Sequence, residues 1–432
     1  MAEQVLKIRA RWLHSGIKII AGSKLRRASV GSILAGVLGQ ALLIVTGILT
    51  ARILGVEDRG NLAILTAFVL SIAVVGSGGI PQATIYFISQ TKRIKEIFQR
   101  IKPLIAIQSI GLVIIHAVVV YIYVSDKGYT FQTAAYYTLF AIPGFIIQWY
   151  GMSLLQSQER YRIFNILRVL PLLAYTIILI LLFNSDRGKI TNIALIWSLS
   201  NLFIGSIIFI ISNFGIKERV LINKKEPLPS RKEIAIFGIK GLFGWASPLD
   251  SFRVDILIGA VILSPHAIGL YVVGQAFTNL PKIISNSMGM IAYPTISNKK
   301  EYQDIRRNFL GFVLFTSALS TIIFLFLYTL IPFLVKLLFG NAFIGAIPIA
   351  RILIFGALLV SIRTIIVECL RGMGRPEYSS YSEIVIYPWL ALSIPILILP
   401  FGVNGMAVSV VIGQLFSLTV ALILSYKTFY YL

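Results

Sequence analysis

The sequence predicts an all-α polytopic membrane protein with about 12 transmembrane helices, in two pseudo-symmetric six-helix bundles around a central cavity. Of its 432 residues, 57% are hydrophobic and 13% are charged. Mean hydropathy is +0.85, beyond the range of a soluble domain. Apolar runs of about 20 residues, enough to cross a bilayer core as helix, recur along the whole chain. Echoes between the two halves carry the two-bundle arrangement.

The predicted segments are 30–50, 61–89, 103–124, 131–155, 163–183, 190–212, 234–263, 267–297, 309–331, 343–370, 381–400 and 404–426. Residues 1–29 form a basic, loosely amphipathic N-terminus, with Val5, Ile8 and Trp12 against Lys7 and Arg11. They read as an interfacial helix rather than a cleaved signal peptide, because no long apolar core precedes a small-residue cleavage site. The first bundle is 30–212, a cytoplasmic linker 213–233, the second bundle 234–426 and a cytoplasmic C-terminus 427–432.

Charge sets the expected orientation. With the N-terminus inside, 27 of the 39 Lys and Arg fall in cytoplasmic segments, six in outer loops and six within segments. By the positive-inside rule both termini are cytoplasmic. The formal net charge of +22 therefore faces an anionic leaflet, and nucleic acid is not an expected partner. A single cysteine, Cys369, excludes an intrachain disulfide and a cysteine metal cluster. The three histidines, His14, His116 and His266, lie far apart, so no metal site and no cofactor is expected. His116, alone in an apolar helix, reads as packed or hydrogen-bonded. No Gly-x4-Gly-Lys-Ser/Thr cradle for ATP occurs, and no catalytic constellation is found, so the chain reads as a non-enzyme.

Two outer turns match in spacing: Leu54-Gly55-Val56-Glu57-Asp58-Arg59-Gly60 and Leu263-Ser264-Pro265-His266-Ala267-Ile268-Gly269. Leu155-Gln156-x3-Arg160 and Leu370-Arg371-x3-Arg375 match again. Six spans per half then suggest parallel repeats that rock about a central site.

Candidate site residues concentrate in the second half. Ile239–Leu263 is long enough to span yet carries Lys240, Asp250, Arg253 and Asp255, and a charge at membrane depth costs about 2.5–3.5 kcal/mol on insertion scales. At 100° per residue these four, with Ser247 and Ser251, share one arc, and Pro248 is placed to kink the helix. Asp250 and Arg253, at i,i+3, are compatible with mutual neutralisation alone or with a polar path. Gln275, Asn279, Lys282 and Asn286 follow i, i+4, i+7, i+11 and form a polar stripe in segment eight. Segment ten adds Arg351 and Arg363, with Glu368 at i,i−3 from Arg371. Arg168, near the cytoplasmic end of segment five, reads as snorkelling. Six embedded cations against Asp250, Asp255 and Glu368 leave the interior net cationic, which favours an anionic cargo such as a diphosphate. Gly76-Ser77-Gly78-Gly79 and Pro81 in segment two are compatible with close packing or with an unwound, bending helix.

Ala51-Arg52-Ile53-Leu54-Gly55-Val56-Glu57-Asp58-Arg59-Gly60 resembles the first outer turn of the polysaccharide exporters of the multidrug/oligosaccharidyl-lipid/polysaccharide superfamily. Arg253-Val254-Asp255, Ile268-Gly269-Leu270-Tyr271, Ala292-Tyr293-Pro294-Thr295-Ile296-Ser297, Lys336-Leu337-Leu338-Phe339-Gly340 and Gly402-Val403-Asn404-Gly405-Met406-Ala407 resemble the same family, in order, over nearly the whole chain. The resemblance implies a flippase similar to O-antigen-unit (Wzx-type) transporters. Those move an undecaprenyl-diphosphate-linked oligosaccharide across the bacterial inner membrane by alternating access, with an ion gradient as the driver. A glycan polymerase and a chain-length regulator are the implied protein partners. Lys240, Arg253, Lys282, Arg351 and Arg363 are the candidates for the cationic cavity, Gln275, Asn279, Asn286 and Ser247 for its polar lining, and Asp250 and Asp255 for ion coupling. A cation-coupled drug exporter of the same superfamily and a non-transporting scaffold of a glycan-assembly complex are the alternatives.

Overall fold

The computed structural model describes residues 24–183, 188–214, 228–245, 247–297 and 301–430. The amphipathic N-terminal stretch, most of the linker and the last two residues lie outside them. Among the described residues the chain is helical, without strands. Eight helices are long and apolar enough to cross a membrane.

The first half comprises α1 (Lys24–Ser77), α2 (Ile80–Thr91), α3 (Ile94–Val124), α4 (Tyr129–Tyr137), α5 (Ala141–Ser157), α6 (Tyr161–Leu182) and α7 (Ile190–Asn213). The second comprises α8 (Arg231–Trp245), α9 (Val254–Ile262), α10 (Pro265–Ala276), α11 (Asn279–Ser297), α12 (Tyr302–Leu338), α13 (Ala346–Gly372), α14 (Glu377–Ile384) and α15 (Ile386–Tyr430). A straight helix as long as α1 or α15 would far exceed a ~30 Å hydrocarbon core. Both are broken by one glycine: Gly55 (φ 73°, ψ −175°) and Gly402 (φ 55°, ψ −137°). Only glycine adopts those angles without strain, so a single residue supplies each bend.

Burial follows the solvent expected of a lipid bilayer. The outer faces of α3 and α12 leave Ile107, Ile110, Ile114, Leu314, Ile322 and Phe326 exposed, apolar stripes that only hydrocarbon would cover. Several buried hydroxyls return to their own helix, as Thr50 Oγ1 does to the Thr46 carbonyl at 2.7 Å and Ser198 Oγ to Ala194 at 2.7 Å. His116 is fully buried and its Nε2 lies 2.9 Å from Thr138 Oγ1, the packed role read from the sequence.

Two glycine seams join the halves. A Cβ on Gly60 would lie 1.8 Å from the Pro265 carbonyl oxygen, and one on Gly269 would lie 2.0 Å from the Val56 carbonyl oxygen. Each glycine therefore faces the carbonyl four residues before the other, a reciprocal contact between α1 and α10. A Cβ on Gly79 would meet the Gly238 carbonyl at 2.3 Å, and one on Gly238 the Gly78 carbonyl at 2.5 Å, bringing the start of α2 against α8. Small residues alone permit such backbone approach.

Segment two is both tightly packed and broken. Gly78 (φ 56°) and Gly79 (φ 65°) end α1 and start α2. Gln108 Nε2 donates to the Gly76 and Ser77 carbonyls at 3.0 and 3.2 Å, and the Tyr150 hydroxyl donates to Gln108 Oε1 at 2.7 Å. Gln108 of α3 thus engages carbonyls beside the break, as apolar surroundings require, and Tyr150 of α5 holds that amide in place.

Candidate functional site

Two of the predicted segments, seven and eight, are interrupted halfway. α8 ends at Trp245 and α9 starts at Val254, with a turn before it and Arg253 in the left-handed region (φ 48°). α10 ends at Ala276 and α11 starts at Asn279. The Ser71 hydroxyl of α1 donates to the Phe252 carbonyl at 2.5 Å and ties the first break to the opposite half. Neither segment is therefore the one continuous helix that the expected arc and stripe assume. Their residues separate into two clusters.

The first cluster centres on a buried carboxylate. Asp255 is fully buried; its Oδ2 accepts from the Tyr271 hydroxyl at 2.8 Å and from Gln275 Nε2 at 2.6 Å. Arg253 Nη2 donates to Gln275 Oε1 at 2.8 Å. The amide thus bridges cation and carboxylate. Asp255 Oδ1 and Arg253 Nε are buried without hydrogen-bond partners. Arg59 of α1, whose Nε is likewise unpartnered, lies in electrostatic range of Arg253 and Tyr175.

The second cluster faces two cavities. Lys282 Nζ lies 2.8 Å from Asp250 Oδ1, with the Asp250 side chain 64% exposed. Asp250 borders two adjoining cavities. One, of about 420 Å³, runs between α1, α2, α5 and α6 and includes Gln82, Gln148, Trp149 and Arg168. The other, of about 380 Å³, lies between the segment-seven break, α11, α13 and α14 and includes Ser247, Lys282, Asn286, Arg363, Glu368 and Glu383.

The chemistry of that second cavity differs from the expected cationic excess. Arg363 Nη1 lies 2.6 Å from Glu383 Oε1, both side chains largely buried, and Arg371 pairs with Glu368 at 3.0 Å. Together the two cavities are lined by four cations, Arg168, Lys282, Arg363 and Arg371, and three carboxylates, Asp250, Glu368 and Glu383. Of the five expected cavity cations, Lys282 and Arg363 line a cavity. Arg253 belongs to the Asp255 cluster. Arg351 lies with its guanidinium 4.9 Å from the Tyr328 ring centroid of α12, a cation–π contact between neighbouring helices. Lys240 is exposed on α8 and Asn279 sits half-buried at the start of α11, and neither lines these cavities.

A family model described as polysaccharide biosynthesis protein matches residues 26–300. The chain belongs to this polysaccharide biosynthesis family. It is 24% identical over 263 residues to an uncharacterized membrane protein, MJ1068, of Methanocaldococcus jannaschii; the match covers 58% of this chain and about half (50%) of the relative's length. Its fold is similar to those of solved membrane transporters. It superposes on the lipid II flippase MurJ in an inward closed conformation with a TM-score of 0.71 at 13% identity, covering 92% of this chain and 86% of that one. An inward-facing multidrug resistance MATE transporter of the MOP superfamily gives 0.70 at 14% identity, covering 90% and 94%. An outward-facing one gives 0.62 at 13%, covering 96% and 98%.

Within this family member, three residues matter that sequence reasoning passed over or misplaced. Arg168 reaches the first cavity rather than a lipid interface, its Nη2 donating to the Ser32 carbonyl at 3.1 Å. Glu383 was readable as a carboxylate just inside segment eleven. Arg59, assigned to an outer loop, lies within α1.

Arg363→Ala is expected to destabilise the fold by about 3–5 kcal/mol, because it leaves the Glu383 carboxylate buried and unpaired. Thermal unfolding in detergent checks this, and Arg363→Ala with Glu383→Ala should recover much of the loss.

Proposed function

We propose that the chain is a flippase, not an enzyme, for an undecaprenyl-diphosphate-linked oligosaccharide destined for O-antigen, capsule or exopolysaccharide. It would act in the bacterial inner membrane, with both termini cytoplasmic, serving a glycan polymerase and its chain-length regulator. The observation that carries this reading is the Lys282–Asp250 pair at the junction of a charged cavity and an amide- and aromatic-lined one. The pair faces both cavities, so a diphosphate, offering two charges and several acceptors, can take Lys282 from Asp250. The family supplies the polysaccharide context.

The α1–α10 glycine seam then serves as the closed outer gate, a reading supported by the better superposition on inward conformations. Cargo drives the exchange only through its different affinity for the two states. Asp255, buried beside Arg253 and Gln275, is the proposed coupling carboxylate, whereas Asp250 serves the cargo. Asp255→Asn is expected to abolish gradient-dependent pH changes in proteoliposomes while leaving cargo binding within about threefold of wild type, under one kcal/mol by affinity arithmetic. An unaltered pH signal would remove Asp255 from that role.

A cation-coupled drug exporter is the second reading, favoured by one observation: three carboxylates among the cavity charges. Native mass spectrometry of the purified chain separates the two. Undecaprenyl diphosphate is expected to remain bound and ethidium to leave no adduct; the reverse result would favour drug export.

A further inference from the structure

The cavity between α1, α2, α5 and α6 carries polar chemistry that neither a lipid tail nor a phosphate needs. Its lining includes Gln82, Gln148, Trp149, Ser153, Gln156 and Arg168. The Oε1 atoms of Gln82 and Gln148 are both buried without a hydrogen-bond partner. A buried amide oxygen in apolar surroundings calls for a donor. Trp149 is half-buried, with its ring 5.9 Å from the Phe145 ring, and so offers a flat apolar surface held in place from one side. The volume, about 420 Å³, falls within the ~300–1,000 Å³ range of small-molecule pockets.

The composition discriminates among ligands. Among the described residues Arg168 is the one cation of this lining, so a diphosphate would meet more amide oxygens than positive charges. Asp250 is its one carboxylate and is already paired with Lys282, so a lipophilic cation finds no free counter-charge. A pyranose fits both surfaces. One face of the ring presents C–H groups that lie on an indole, and its rim presents hydroxyls that donate to and accept from side-chain amides.

We propose that this cavity is a pyranose subsite that takes one or two sugar residues of the cargo. The diphosphate then lies beyond Asp250, at Lys282 and Arg363. The assignment rests on the glycan-carrier reading above and locates the sugar mainly against first-half helices, across from Lys282 and Arg363.

The test uses the full chain in lipid nanodiscs. Saturation-transfer NMR is recorded with methyl glucoside, methyl galactoside, methyl mannoside, N-acetylglucosamine and N-acetylgalactosamine, and inorganic diphosphate is titrated calorimetrically. At least one sugar is expected to bind saturably. Its affinity should fall tenfold or more in Trp149→Ala and in the Gln82→Leu, Gln148→Leu double variant, and survive in Trp149→Phe, which keeps a ring and guards against misfolding as the cause. Diphosphate affinity should fall in Lys282→Gln and hold in Trp149→Ala. Absence of saturable sugar binding across the panel, or sugar affinities unmoved by the Trp149 and glutamine variants, overturns the subsite. If diphosphate binding still depends on Lys282 in that event, the carrier reading stands without it; if diphosphate fails to bind as well, both fall.

Discussion

Charge reversal at Lys282 is expected to lower glycan export by about a hundredfold or more while the chain still folds. Lys282 is the cation whose partner, Asp250, borders both cavities, where an anionic ligand can reach the pair. In Lys282→Glu, a carboxylate would face Asp250 with Glu368 and Glu383 in the same cavity lining. Like charges brought together in a partly desolvated site cost several kcal/mol, and about 2.8 kcal/mol already corresponds to a hundredfold. Lys282→Arg keeps the charge and should retain export. Export is measured as surface glycan in a strain lacking the native gene, with membrane levels of the variant checked in parallel. Full export by a well-folded Lys282→Glu protein would remove this cavity from the anion's path.

Adding one methyl group at the α1–α10 seam should be nearly as damaging. A Cβ on Gly60 would sit 1.8 Å from the Pro265 carbonyl oxygen and 2.8 Å from the Gly269 nitrogen. The obstacles are backbone atoms that no rotamer change can move, so the two helices must separate. Gly60→Ala and Gly269→Ala are each expected to reduce export at least about tenfold, the equivalent of 1.4 kcal/mol lost from the closed seam. The conformational readout is a cysteine at Val56, which is 8% exposed, in a Cys369→Ser background. Its labelling by an impermeant maleimide should rise in Gly60→Ala. Normal export together with unchanged labelling in both glycine variants would mean that the seam is not a gate.

The fold class was legible because a bilayer leaves a long apolar signature that composition alone reveals. The motif echo between 54–60 and 263–269 was legible too, and it carried more than a shared turn. Gly60 and Gly269 occupy equivalent places in it, and each faces the other's backbone. The site was only partly legible. Lys282, Asn286, Ser247, Asp250 and Arg363 do meet at one cavity, since charges buried in apolar sequence have few other places to go. The helical-wheel grouping failed where α8–α9 and α10–α11 break. A wheel assumes continuous phase, and at the first of these breaks Arg253 adopts a left-handed conformation. Beside that break Asp250 faces the cavities and Asp255 a buried hydrogen-bonded network, two carboxylates that the sequence presents alike. The expected cationic excess shrank because the Arg363–Glu383 pair joins α13 to α14, a long-range partnership that no local spacing encodes. Arg351 lies outside both cavities for a related reason. Its partner is a ring on the preceding helix, and depth in the sequence does not say which side of a helix a cation takes.

The central claim is that the chain carries a lipid-linked glycan from one leaflet to the other. The most direct measurement locates that glycan in a strain lacking this gene, with its glycan-assembly enzymes intact. Oriented membrane vesicles are treated with an impermeant glycosidase, and the undecaprenyl-diphosphate oligosaccharide is quantified on each face by mass spectrometry. The account predicts that the complete unit accumulates on the cytoplasmic face and returns to the outer face when the gene is restored. Delivery of the unit to the outer face without this chain, in a strain with no other flippase, would contradict it.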